Sequence, residues 1–104
     1  MAQFHHVGVP TDIEHPRETY LEDGGVHITD PAASPYHFEY LRFDADSPLP
    51  DVMKTNPHIA YMVDDLGAAM EGEEVLLEPF NPMPNLRVAF VVKDNIVVEL
   101  MQEI

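Results

Sequence analysis

The sequence predicts an α+β chain built from two similar halves, about residues 1–46 and 56–104, and three observations predict it. Short apolar runs of strand length recur along the chain. Each half opens with a strand, passes through a short helical segment and then returns to strands, an internal repeat near 50 residues. Between the halves lies "DADSPLPDVMKTNP" (44–57), where Pro, Asp and Asn concentrate and periodicity lapses, as in a short connection. The 104 residues suit one compact domain with a modest core.

The first half begins with the strand "QFHHVGV". "PTDIEHPRETYLED" follows, where Pro16 suits the first turn of a short helix offering Tyr20 and Leu21 as apolar contacts. Gly24 and Gly25 stop it, "VHIT" is the next strand and "YHFEYLRF" a longer one with alternating aromatics. No third strand is evident between those two, so this half is the shorter. In the second half "HIAYMV" is a strand, and Asp64 or Asp65 caps a helix carrying Leu66, Ala69 and Met70 at i, i+3, i+4. Gly72 closes it. "VLLEPF", "RVAFVV" and "IVVELM" are three more strands, the last two joined through "KDN" as an antiparallel hairpin.

Nineteen acidic against five basic residues give a net charge of −14. That balance excludes nucleic-acid binding, which depends on cations neutralising phosphates, and docking on anionic membranes. The absence of cysteine removes disulfides, thiolate ligands and thiol nucleophiles. No apolar run approaches the length of a membrane span, and no basic-then-apolar leader opens the sequence, so a cytoplasmic location is expected.

Alternation along strands sorts the polar residues by face. His5 shares a face with Val7 and Val9, while His6 lies with Phe4 and Gly8. His58 opposes Ile59, Tyr61 and Val63. Glu39, beside His37 and Leu41, opposes Phe38 and Tyr40, and Glu99 opposes Ile96, Val98 and Leu100. In each case the greasier face is the one expected under the helices. His6 and His58 open the first strand of their halves, and Glu39 and Glu99 lie in the last. Two imidazoles and two carboxylates on repeat-related strands are a set able to converge on one divalent metal. Glu99, surrounded by Ile, Val, Leu and Met, needs a compensating charge that this cation-poor chain hardly supplies.

"HHVGVP", "HIAYMVDDLGAAM" and "RVAFVVKDNIVVELMQ" resemble the vicinal oxygen chelate superfamily, which includes glyoxalase I, methylmalonyl-CoA epimerase, fosfomycin and bleomycin resistance proteins and extradiol dioxygenases. The resemblance covers most of the chain and is strongest over residues 56–102. It implies paired βαβββ modules, the first shortened, in a mixed sheet curled into a cup around a metal, with helices on the outer face. It places the metal ligands on His6, Glu39, His58 and Glu99, with His37 the rival of Glu39.

The set suits Zn, Ni, Co, Mn or Fe(II) as a single divalent ion. The function implied is a lyase or isomerase of the glyoxalase or epimerase type, acting on a small oxygenated substrate through a metal-stabilised enolate, with Glu39 or Glu99 as the base. Two other readings follow from the same resemblance: an Fe(II) extradiol-type dioxygenase, and a bleomycin-resistance-like protein that binds a small molecule without turnover, with Phe80 and Met83 in "EPFNPMPN" lining its cleft. A homodimer is expected, since a short chain gains from burying more surface.

Overall fold

A computed structural model describes residues 2–104. Its eight strands belong to a mixed sheet with few, short helices, the α+β class that the sequence predicts. The chain forms two compact units: His6–Pro57, and His58–Ile104 together with the opening residues of the first strand. Among the described residues no helix is long and apolar enough to cross a membrane.

The first unit holds β1 (Gln3–Pro10) from His6 onward, β2 (Thr19–Leu21), β3 (Val26–Ile28), β4 (Phe38–Phe43) and the one-turn helix α1 (Asp51–Thr55). The strands lie in the order β2-β3-β4-β1, with β1 and β4 parallel and the other neighbours antiparallel. The helix expected after Pro16 does not form. Arg17 has a left-handed backbone, φ 62°, which no continuing right-handed helix tolerates. Thr19 and Tyr20 have the branched and aromatic side chains that favour strands, and they pair with Ile28 and His27 of β3. As a strand, the segment sends Leu21 to the aliphatic core and Tyr20 to the other face, a split that neighbouring helical positions would not give. What the first half lacks is therefore the helix, and all four strands are present.

The core of this unit is Val26, Ile28 and Leu41, with Leu21, Phe43 and Leu49 packed against it. The stretch 44–57 is part of that packing. Ser47 Oγ donates to the Gly24 carbonyl at 2.6 Å, and Lys54 Nζ donates to the Ser47 carbonyl at 2.7 Å. Gly25 permits the approach: its φ is +58°, and a Cβ there would lie 3.1 Å from Ser47 Cα.

The second unit holds β5 (His58–Met62), α2 (Leu66–Met70), β6 (Glu74–Met83), β7 (Leu86–Lys93) and β8 (Ile96–Glu103), in the strand order β5-β8-β7-β6. It repeats the first unit strand for strand, with β5 and β8 parallel and β8-β7-β6 antiparallel. Asp65 is the residue that caps α2, its carboxylate accepting from Ala68 N at 3.1 Å. Gln102 Oε1 accepts from Leu66 N at 2.7 Å, tying the helix start to β8. The turn between β7 and β8 is made by Asp94 and Asn95, both at positive φ, the backbone that a two-residue hairpin requires.

The core here is Val63, Leu66, Ala89, Val91 and Leu100, with Ala69, Met70 and Val98 against it. The greasier face of β8 thus lies under the helix, as expected. In the first unit the expectation fails. Buried Leu41 shares its face with Glu39, and the aromatic face of β4 has no helix over it.

Candidate metal centre

Each unit sets a histidine against a glutamate by the same register. In β1, Gly8 pairs with Glu39 of β4, so His6 stands two residues before the position opposite that glutamate. In β5, Ala60 pairs with Glu99 of β8, and His58 again stands two residues before it. Residues two apart in a strand share a face, so each imidazole meets its carboxylate diagonally across a parallel strand pair. The distances are 3.5 Å from His6 Nε2 to Glu39 Oε1 and 3.1 Å from His58 Nε2 to Glu99 Oε1. Both histidines are 1% exposed.

The residues facing the glutamates directly are glycine and alanine, and both are buried. A bulky side chain at either place would project into the space beside the imidazole and carboxylate. Small residues two positions after each histidine, as in "HVG" and "HIA", were the sequence signal for this opening.

An apolar ring abuts the second pair. Phe90, opposite Glu99 in the β7–β8 register, meets the His58 ring edge to face with centroids 5.2 Å apart. Phe80 stacks on Phe90 at 6.4 Å and 13°. Irregularities in the β6–β7 register on both sides of Phe80 set its aim. Leu77 and Phe80 are three positions apart in β6, but their partners Phe90 and Val88 are only two apart. The extra residue brings Phe80 to the face that Leu77 and Phe90 occupy.

His37, the alternative to Glu39, is not in β4. It is exposed and sits before the strand with φ 56°, so strand alternation does not govern its direction.

The opposite face of the first unit carries a polar network that the sequence reading missed. Arg42 grips Glu18 with two hydrogen bonds, Nε to Oε2 at 3.1 Å and Nη2 to Oε1 at 2.6 Å. That grip holds the Glu18 carboxyl down to about 2, from an ordinary 4.5. The Tyr20 hydroxyl donates to Asp44 Oδ2 at 2.6 Å, and His27 Nε2 lies 3.2 Å from Asp44 Oδ1. The tyrosine hydrogen bond and then His27 hold Asp44 below the usual carboxylate range. His15 stacks on Tyr40 at 4.3 Å, and its backbone N–H donates to Glu18. The network covers the aromatic face of β4 where a helix was expected.

His6, Glu39, His58 and Glu99 are together a group that could hold a metal ion. The donor set fits a borderline divalent ion: two neutral imidazoles and two carboxylates, whose combined charge cancels the ion's.

In each unit the first and last strands are parallel neighbours that carry the histidine and the glutamate, an arrangement consistent with the vicinal oxygen chelate fold. Two solved structures are similar to this chain over nearly its whole length. The hypothetical protein BH1468 from Bacillus halodurans C-125 has a TM-score of 0.70 at 15% identity, covering 99% of this chain and 95% of that one. Methylmalonyl-CoA epimerase from Mycobacterium tuberculosis has a TM-score of 0.62 at 17% identity, covering 98% of this chain and 88% of that one. No protein-family model matches the sequence, and no curated protein does. At these identities the likeness is one of fold.

Proposed function

We propose that the two His–Glu pairs hold one divalent metal ion and that the chain is a metal-dependent isomerase or lyase acting by proton transfer on a small oxygenated substrate. The observation that carries the reading is the duplicated diagonal: a buried histidine two residues before a small residue that faces a glutamate, once in each unit. The fold shared with an epimerase supports the same reading. When bound, a divalent ion supplies Lewis acidity toward adjacent carbonyl oxygens, which acidifies the neighbouring C–H.

The chain's own residues do the rest. His6 and His58, nearly inaccessible to water, hold their imidazoles in fixed directions toward the carboxylates. Glu39 or Glu99 takes the proton from the substrate carbon as a carboxylate. The glutamate that took the proton then carries it and returns it to the enolate carbon, so that no proton is gained or lost over the cycle. The apolar walls of Phe90 and Met101 exclude water from the second pair.

Elemental analysis of protein purified without chelator tests the metal, with His6→Ala and His58→Ala alongside. One ion per chain, lost in either variant, is expected, whereas two ions, each lost in only one variant, would show separate sites. Deuterium uptake from D2O into 2-oxo acids and 2-hydroxy ketones tests the chemistry, since exchange reports proton removal without complete turnover. A metal-loaded chain that exchanges no hydrogen in either substrate class, yet binds them, would turn the reading to ligand binding without catalysis.

A further inference from the structure

We infer that the second unit's His–Glu face receives the apolar body of an uncharged substrate, aromatic or branched, and rejects one carrying phosphate or carboxylate beyond its chelating oxygens. The inference rests on the metal reading above and names the class of substrate for that site.

The face around His58 and Glu99 is built from hydrocarbon. Phe90, Val88, Val97 and Met101 share it and are buried, and Phe80 stands at its outer margin with 39% of its surface open. An exposed ring stacked on a buried ring, which in turn abuts the ligand imidazole, forms a continuous apolar track from solvent to His58. The β-bulge beside Phe80 aims it there, whereas regular pairing would turn it to the helix face. Exposing a phenylalanine ring costs stability that the fold recovers only when something apolar covers it.

The cations tell the other half. Arg87 alternates with Ala89 and Val91, on the helix face of β7, away from Glu99. Lys93 pairs with Glu73 at 3.3 Å. In the first unit Arg42 is bound to Glu18, and Lys54 to the Ser47 carbonyl. Arg17 lies in the loop before β2. Among the described residues, none of the second unit's basic side chains is on the His58–Glu99 face, and a chain of net charge −14 repels anions at long range. A phosphorylated carrier has nothing on this face to receive it.

The test uses the full chain loaded with zinc and three hydroxamates, which chelate through adjacent oxygens, titrated by calorimetry. Benzohydroxamate is expected to bind about tenfold more tightly than acetohydroxamate, the worth of partly burying a ring. A para-phosphonate on the ring should erase that gain. Phe80→Ala should lose more benzohydroxamate than acetohydroxamate affinity and narrow the gap to about threefold or less.

Phosphonate binding as tight as the parent, or equal losses for both probes in Phe80→Ala, would overturn the inference while leaving the metal in place. Failure of the metal reading has a different signature: none of the three binds, or all bind equally without zinc, and the inference falls with it.

Discussion

In the second unit the aliphatic core lies behind the sheet, under α2, and the His58–Glu99 pair occupies the other face. In the first unit there is no such helix. The aliphatic core of Val26, Ile28 and Leu41 shares a face with Glu39, and the far face is closed by the Glu18–Arg42 and Tyr20–Asp44–His27 contacts. Strand order and His–Glu register are nonetheless the same in both. The difference teaches that the two units share the parallel strand pair and the small residue facing each glutamate, and that the covering of the other face is replaceable. One unit uses the hydrophobic effect for that cover, the other charge-assisted hydrogen bonds.

The comparison is broken or sharpened most strongly by cavities. Leu66→Ala and Leu41→Ala each remove a buried leucine and should cost about 2–5 kcal/mol, read from urea unfolding. Their effects on zinc should differ. Leu66 is on the helix side, so Leu66→Ala leaves affinity nearly unchanged while the chain is folded. Leu41 is two residues from Glu39 on the same face, and its loss frees that carboxylate to move. Equal weakening of zinc binding in both variants would erase the distinction between the faces.

How much of this was legible in the sequence depends on the range of the interactions. The second unit was readable because local signals agree with the fold: Asp65 before Leu66, Ala69 and Met70, and Asp94-Asn95 between two apolar runs. Strand alternation placed His6, Glu39, His58 and Glu99 on their faces, but parity gives a face and no register. The two-residue offset shared by both pairs came only from the strand pairing. The segment after Pro16 misled because Pro16 fits a helix start, while the contact that decides it, Glu18 with Arg42, spans 24 residues. Arg17 at positive φ carries no sequence signal, since arginine has no preference for that region.

A smaller, conditional effect separates the units by pH. Glu18 is held near 2 in the folded chain against an ordinary 4.5, so its contribution is complete above 4.5 and disappears as pH falls toward 2. Glu18→Gln should therefore lower the urea midpoint near neutrality and flatten its acid decline over that window. The second unit's helix cover contains no carboxylate gripped by an arginine, so Leu66→Ala should shift the whole curve down without changing its acid slope. If Glu18→Gln and the parent lose stability in parallel between pH 4.5 and 2, the first unit's far face is not held by this ion pair.

The mildest probe bears on the helix alone. Asp65 is the N-cap of α2, a helix of five residues that cannot stand without tertiary support. Asp65→Ala should cost about 1 kcal/mol by unfolding, and Asp65→Asn should recover most of it, because the cap requires an acceptor oxygen and little charge. Hydrogen exchange adds the sharper reading. Loss of the cap should speed exchange at Ala69 N, which donates to the Asp65 carbonyl at 3.0 Å, while amides of β5 and β8 keep their protection. A cover that loosens by itself would show that the second unit, like the first, holds its His–Glu strands independently of what lies behind them. Faster exchange spreading into β5 would mean that α2 secures His58 as well as the core, and that the polar network of the first unit is its functional equivalent.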